Sequence, residues 1–223
     1  MNIAKAATIA LVCAASFCSA MTPGRPQILT CPHCGQTKEI MSLLSGNTFG
    51  AQLWSDNKQI APMLPEISYV QKCPHCKKYF IRSRQKEVYA KSGFSLEQGL
   101  LSFAEMKEAF AQLSQEKFRD REEETTVRIM LHHAYNDYYY RNGENRMVAA
   151  ADQKLFQENA LWLIGNVITD NVMKAEFYRE AGDMEKAKAL IEKVTGGNDF
   201  MEGLVATIKE KINKGDTAVF LIK

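Results

Sequence analysis

The sequence lacks an apolar run long enough to cross a membrane comfortably. Its N-terminal apolar run, residues 6–17, is shorter than the ~20 residues that a spanning helix needs, so we expect no membrane span in the mature protein. Extensive disorder is excluded, because 46% of the 223 residues are hydrophobic and can form a packed core. This length suits one large domain or two small ones.

The sequence also lacks the short motifs of several common enzyme classes. We find no G-x-S-x-G nucleophile motif, no P-loop, no Rossmann glycine pattern and no isolated cysteine with a plausible histidine base. No catalytic or organic-cofactor-binding residue is therefore predicted, and a protein that is not an enzyme is favoured.

The first 20 residues have the pattern of a secretory signal peptide. Lys5 supplies the positive charge, an apolar run follows, and small residues permit cleavage after Ala20. The residues before the two early cysteines are too large for a lipoprotein signal. We therefore expect an exported protein, periplasmic or secreted, and the alternative is a cytoplasmic protein that starts at Met21.

Charge divides the chain into two regions. Residues 21–91 contain 10 Lys/Arg and 4 Asp/Glu, whereas residues 92–223 contain 17 and 22. The basic region either contacts the acidic one or has an anionic partner. For an exported protein we favour contact with the acidic helices, and nucleic acid is an alternative only for a cytoplasmic one. The basic side chains nearest the second cysteine motif are Lys77, Lys78, Arg82, Arg84 and Lys86.

Two copies of Cys-Pro-His-Cys hold every cysteine that remains after signal cleavage. Two C-x-x-C pairs can supply four thiolates to one tetrahedral zinc ion at ~2.3 Å. The 38 residues between the pairs exceed the usual spacing of ~15–20, so extra strands or a long loop are expected there. The predicted ligands of a structural Zn²⁺ are Cys31, Cys34, Cys73 and Cys76.

Two other uses of these cysteines stay open at the level of sequence. Cys-Pro-His-Cys also occurs as the active site of strongly oxidising thiol oxidoreductases, which need a thioredoxin-like fold. Alternatively, each pair closes as a disulfide in an oxidising compartment, although such short disulfides are strained. Gly35 suits the turn after the first pair, Phe80 is placed to cover the site, and His33 and His75 are expected to face solvent.

The pattern of turns and apolar residues predicts an α+β protein. Residues 21–91 are interpreted as a small zinc-ribbon-like β module, because prolines and glycines interrupt short apolar runs. Residues 92–215 are predicted to be an antiparallel stack of helices, preceded in the precursor by the signal peptide, 1–20, and followed by a tail, 216–223.

Helical periodicity predicts six helices, whose starts coincide with side chains that can accept a backbone N–H. The predicted caps are Ser102 with Glu105, Thr169 or Asp170, Asp183, and Asn198 or Asp199, and Gly215 is predicted to end the last helix. The second helix, about 120–141, is predicted to bury Val127, Leu131, Ala134 and Tyr138. The sixth is predicted to bury Phe200, Leu204, Ile208 and Ile212.

Residues 170–195 carry a helical-hairpin pattern. The segments 139–143 and 178–182 both read Tyr-x-x-x-Gly and lie 39 residues apart, and the second is followed by Ala187 and spaced aliphatic residues. This order is similar to a tetratricopeptide hairpin, whose usual period is ~34 residues. We therefore predict a tetratricopeptide-like scaffold that binds a protein or peptide.

One further group of ligand-type side chains lies on the second helix. His133 and Asp137 are spaced i, i+4 beside His132, but no third ligand and no H-E-x-x-H pattern accompany them. We predict that they line a polar groove instead of holding a metal. Several tyrosines surround the same helix, and those that stay exposed are candidates for peptide contact: Tyr135, Tyr138, Tyr139 and Tyr140.

The stretch from TCPHCG to CPHCKKYF, with the internal segments SGNTFG (45–50) and WSD (54–56), resembles an uncharacterised group of bacterial proteins. The likeness spans most of residues 28–215. It implies an N-terminal twin-CxxC ribbon-like module with a metal site and a tetratricopeptide-like C-terminal region, and it implies no substrate.

Overall fold

A computed structural model describes residues 21–142 and 146–222. The described chain is mixed α and β, with several small two-stranded sheets first and six α-helices after them. The predicted signal peptide, residues 1–20, and Gly143 of the first Tyr-x-x-x-Gly segment lie outside the described residues. No described helix combines the length and the apolar character that crossing a membrane requires.

Eight short strands build the first region. They are β1 (Thr22–Pro23), β2 (Gln27–Thr30), β3 (Thr37–Ile40), β4 (Leu43–Ser45), β5 (Gln52–Leu53), β6 (Gln59–Ile60), β7 (Val70–Lys72) and β8 (Tyr79–Ile81). All pairs are antiparallel: β1 with β4, β2 with β3, β5 with β6 and β7 with β8. Two-stranded ladders are marginal by themselves, so this region depends on side-chain packing and on its cysteine centre.

Six helices follow, and consecutive helices pack on one another. They are α1 (Phe103–Glu116), α2 (Arg121–Asn136), α3 (Ala150–Asn166), α4 (Asn171–Glu180), α5 (Met184–Ile191) and α6 (Asp199–Lys214). The predicted caps are confirmed: Ser102 and Glu105 form a capping box, and Asp170, Asp183 and Asn198 accept backbone N–H groups. Gly215 ends α6 with a φ of 64°.

The predicted inner face of α2 is wrong near its end. Tyr135 and Tyr139 are buried, whereas Ala134 is only partly buried and Tyr138 is 39% exposed. The buried positions recur every four residues from Glu123 through Val127 and Leu131 to Tyr135, all before the π-helical turn, Asp137–Arg141, that continues α2, and Tyr139 in that turn keeps the same spacing. The helix therefore buries an i, i+4 row, whereas the prediction stepped by three residues after Leu131.

The predicted inner face of α6 is wrong at its start. Ile208 and Ile212 are buried as expected, but Phe200 is 50% exposed. Each step of four residues rotates by ~40° on a regular helix, so three steps back from Ile212 leave the buried stripe. Met201 packs against the core in its place.

The core forms connected clusters that place the cysteine region on the helices. Val70, Tyr79 and Ile81 of the β7–β8 hairpin belong to the same buried cluster as residues of α1, α2 and α3. A second cluster joins α4, α5 and α6, and a third lies beneath the cysteines. One hairpin therefore connects the cysteine centre to the helices.

Ion pairs reinforce this connection in the way that the charge distribution predicted. Arg84 donates through Nε to Glu123 at 2.7 Å, and a second guanidinium nitrogen contacts the same carboxylate. Lys72 on β7 donates to Glu105 of α1 at 3.0 Å. The basic segment thus contacts acidic helices, while Lys77 and Lys78 remain exposed.

Candidate metal centre

Each Cys-Pro-His-Cys motif forms the turn of a β-hairpin. The first connects β2 to β3, where Cys31 N–H donates to Gln36 O at 2.8 Å and Gly35 N–H donates to Cys31 O at 2.9 Å. The second connects β7 to β8 with the same two bonds, from Cys73 to Lys78 at 2.9 Å and from Lys77 to Cys73 at 3.0 Å. The two turns are therefore equivalent knuckles.

The two knuckles bring all four predicted sulfurs together. Cys31 Sγ lies 3.6 Å from Cys76 Sγ, and Cys34 Sγ lies 3.6 Å from Cys73 Sγ, so each of these close pairs joins one hairpin to the other. All four sulfurs lie within 4.8 Å of one another. Four Zn–S bonds of ~2.3 Å in a tetrahedron require sulfurs ~3.8 Å apart, so this donor set fits a tetrathiolate ion.

The geometry differs from both alternatives for these cysteines. All four are free thiols, and 3.6 Å is far longer than the ~2.05 Å of a disulfide bond. Neither motif begins a helix within the described ranges, so neither first cysteine has the helix N-terminus that activates an oxidoreductase thiolate.

A small apolar cluster packs against two of the four cysteines. Leu29, Ile40 and Phe80 are almost completely buried and pack with Cys31 and Cys73. Phe80 thus lies against the centre, as its spacing from the second motif suggested. Such an apolar surround limits water access to the sulfurs on that side.

The polar surroundings favour a thiolate first at Cys73. Burial opposes its ionisation, but the backbone N–H groups of Cys76 and His75 and the neighbouring thiols outweigh burial and lower its pKa to about 6. Burial raises the pKa of Cys31 to about 12. The pKa of Cys34 is raised as well: the backbone N–H of Gln36 favours its thiolate, but burial and nearby sulfurs outweigh that hydrogen bond. A divalent cation would stabilise the thiolate form of all four cysteines, including Cys31 and Cys34, whose pKa values are otherwise raised.

The hairpin that carries Cys73 is fixed on α1 by polar contacts. The Gln112 side chain accepts from Tyr79 N–H at 3.0 Å and donates to Tyr79 O at 2.9 Å, as another strand would. Tyr79 also donates through its hydroxyl to Glu108 at 2.7 Å. His33 and His75 are both exposed, as expected, and His33 in addition places Nε2 3.0 Å from Tyr79 O.

Sequence reasoning missed one feature of the second knuckle. Lys77 adopts a φ of 64°, matching the 73° of Gly35 in the first knuckle. A left-handed conformation disfavours lysine, so the turn is imposed by the surrounding structure. The equal spacing of the two motifs was the available signal, since Lys77 and Gly35 both directly follow the last cysteine.

Of the group predicted to line a polar groove, His133 and Asp137 line one groove beside α2, and His132 does not. Within residues 21–142 and 146–222, the cysteines are the one group of three or more ligand-type side chains that can hold an ion. Asp137 instead pairs with Lys58 at 2.5 Å, and His133 approaches Asp56 O at 3.3 Å. His132 is fully buried near Glu180, a contact that the sequence did not reveal.

Comparison with known proteins adds nothing to this geometry: no family model, no curated protein and no solved structure matches the chain.

Proposed function

We propose that this chain is an exported, non-catalytic zinc protein whose ribbon-like module supports a helical scaffold that binds a protein or peptide. The observation that carries the zinc part is the meeting of four sulfurs from two equivalent knuckles. Zinc suits them because it accepts four thiolates tetrahedrally. Its role would be structural, since protein sulfurs fill all four positions and leave none for water or substrate.

Metal analysis with thiol titration of the purified mature protein tests the zinc part. We expect one zinc ion and four protected thiols, with the zinc lost in Cys76→Ser and kept in His75→Ser, a control in the same knuckle. A metal-free protein whose cysteines cycle with dithiothreitol and oxidise or reduce a test disulfide would replace this proposal with the oxidoreductase alternative.

A groove beside α2 supports the peptide part. Its volume is about 330 Å³, and Phe103, Met106 and Met130 supply an apolar floor. Tyr138 and Leu100 line it and are partly exposed, at 39% and 51%. An exposed tyrosine beside an apolar depression is a typical anchor point for a partner's side chain.

The charged wall of this groove would select a partner's polar groups. Lys58 and Glu66 come from the first region, 3.7 Å apart, and Asp137 comes from the π-helical turn. Because these side chains carry both signs, they suit the alternating donors and acceptors of a peptide backbone better than a polyanion such as nucleic acid.

The fold of the helical scaffold is part of the same proposal. In the α4–α5 hairpin Ala187 is completely buried and Tyr178 packs against the shared cluster, the close approach that a tetratricopeptide-type hairpin requires. We likewise propose membership of the twin-CxxC bacterial group named above, which rests on the cysteine pairs and the segments between them.

Affinity capture from envelope extract, followed by binding of the recovered partner's peptides, tests the peptide part. We expect capture to fail with Tyr138→Ser and to persist with Tyr89→Ser, a matched control because Tyr89 is 42% exposed on the first region. Equal capture by both variants would contradict the proposal that this groove binds the partner. N-terminal sequencing of the native protein tests export, which requires cleavage after Ala20.

A further inference from the structure

A second cavity, which shares His133 with the peptide groove, has the character of a small-molecule site. It has a volume of about 340 Å³ and lies among α2, the α3–α4 connection, the start of α4 and the loop that carries Asp56. Leu163, Ile168, Met173 and Phe177 provide a mainly apolar lining. This size and lining are typical of ligand pockets, which are apolar with a few fixed polar groups.

The polar end of the cavity is a buried imidazole with one unused nitrogen. The His132 ring is stacked between Phe156 and Phe177, with ring centroids 4.5 and 4.4 Å away. Its Nε2 lies 2.8 Å from Glu180 Oε2. Its Nδ1 is buried and has no hydrogen-bond partner among the residues that the structure describes. A buried nitrogen without a partner costs free energy that a bound donor would recover.

The hydrogen-bond network assigns the proton on His132. Asn136 Nδ2 donates to Glu180 Oε2 at 3.1 Å, so this carboxyl oxygen already acts as an acceptor. We assign the ring hydrogen to Nε2, where it donates to the same oxygen, and Nδ1 is left as an acceptor. Burial raises the pKa of Glu180, and a carboxyl proton on its Oε1, which has no hydrogen-bond partner in the described part of the chain, keeps Oε2 an acceptor. Deep burial lowers the pKa of His132 to about 3, so the ring is neutral at physiological pH.

The charges around the cavity disfavour both anionic and cationic ligands. Its described lining residues include the carboxylates Asp56 and Asp170 and neither lysine nor arginine. Asp56 is already paired with Arg141, and it accepts a hydrogen bond from Asn136 Nδ2 at 2.9 Å. Asp170 is exposed and accepts the N–H groups of Val172 and Met173 as the cap of α4, so a ligand cation inside the cavity would lose its hydration without gaining an unpaired buried counter-charge.

We propose that this cavity binds a small, uncharged and mainly apolar alcohol or phenol, whose hydroxyl donates to Nδ1 of His132 while its hydrocarbon part packs on Leu163, Met173 and Phe177. The site is distinct from the cysteine centre and from the groove that Tyr138 borders.

Three probes with one carbon skeleton test the proposal on the zinc-loaded full chain: 3-phenylpropan-1-ol, 3-phenylpropionate and propylbenzene. Titrations followed by methyl NMR should show saturable shifts at Ile129, Leu163, Ile168 and Met173. The alcohol should bind about 3–10-fold more tightly than the hydrocarbon, the value of one neutral hydrogen bond, and the carboxylate should bind most weakly. Absence of saturation with every probe, or equal affinity for alcohol and hydrocarbon, would overturn the proposal without any variant.

Substitutions then locate the site. Met173→Trp should fill the cavity and abolish binding, whereas Leu161→Trp, which adds the same indole on the outer face of α3, should bind as the unmodified protein does. His132→Phe keeps the stacking and should remove the preference for the alcohol. Unchanged binding in folded Met173→Trp protein would place the ligand elsewhere and refute the assignment.

Discussion

Removing the proposed zinc ion is predicted to unfold the two cysteine hairpins and to leave the last three helices intact. The apolar support of the centre contains three large buried side chains, Leu29, Ile40 and Phe80. At ~1.5–3 kcal/mol each, their burial provides about 5–9 kcal/mol. A structural zinc site contributes ~10–16 kcal/mol of apparent binding free energy, so the metal would stabilise this part of the fold more than these side chains do.

The structure predicts how far this unfolding spreads. Tyr79 and Ile81 belong to the cluster of α1, α2 and α3, so α1 should lose part of its protection when β7 and β8 open. The buried cluster of α4, α5 and α6 contains no residue from the cysteine hairpins, within the described chain. Helices α4 to α6 should therefore remain protected.

Amide hydrogen exchange read by mass spectrometry can follow each segment. The protein is compared before and after chelation at neutral pH under reducing conditions, with metal content measured in parallel. We expect fast exchange in 27–40 and 70–81, intermediate exchange in 103–116 and unchanged exchange in 171–214. Slow exchange in both hairpins after complete loss of metal would refute the dependence of this module on zinc.

Three further predictions concern single side chains. Glu123→Gln should lower the free energy of unfolding in urea by about 2–3 kcal/mol. This is less than the ~3–5 kcal/mol expected for a fully buried ion pair, because the Arg84 side chain is 30% exposed. An unchanged free energy of unfolding would show that this pair does not hold the first region on α2. Burial opposes ionisation of Asp56, but His133 and Arg141 outweigh it and lower its pKa to about 2. Its ionised form therefore adds about 2 kcal/mol of stability above pH ~4 that is lost as the pH falls towards 2, and thermal melts should show this loss in the unmodified protein and not in Asp56→Asn. Ser102→Ala should cost about 1 kcal/mol in urea unfolding by removing the cap of α1, and an unchanged midpoint would contradict that role.

Local signals accounted for much of the fold. Ser102, Asp170, Asp183 and Asn198 start helices because each side chain accepts a backbone N–H within its own turn, and this chemistry is readable from a few neighbouring residues. The meeting of the four sulfurs followed from the repeated motif, since two similar knuckles need only approach each other.

Other features depend on residues that are distant in sequence. Glu180 and His132 are 48 residues apart, and nothing near either one indicates that they meet in the interior. The buried row of α2 follows a four-residue spacing from Glu123 into the π-helical turn Asp137–Arg141, and which row of a helix is buried depends on the distant elements that pack against it. Arg141 is buried because Asp56 of the β5–β6 loop reaches it, a pairing that only the tertiary structure defines.

This buried ionic network also sets the shape of both proposed binding sites. Asp56 and Arg141 have almost no exposed side-chain surface, so any sliding of the loop along α2 would leave a buried charge without its partner, at ~3–5 kcal/mol. Apolar contacts between the same surfaces would tolerate such sliding far better. The loop supplies Lys58 to the peptide groove and Asp56 to the small-molecule cavity, and His133 lines both. Asp56→Asn should therefore weaken peptide and alcohol binding together, whereas Tyr138→Ser should weaken the peptide alone. Independent responses of the two ligands to Asp56→Asn would show that the loop does not couple the sites.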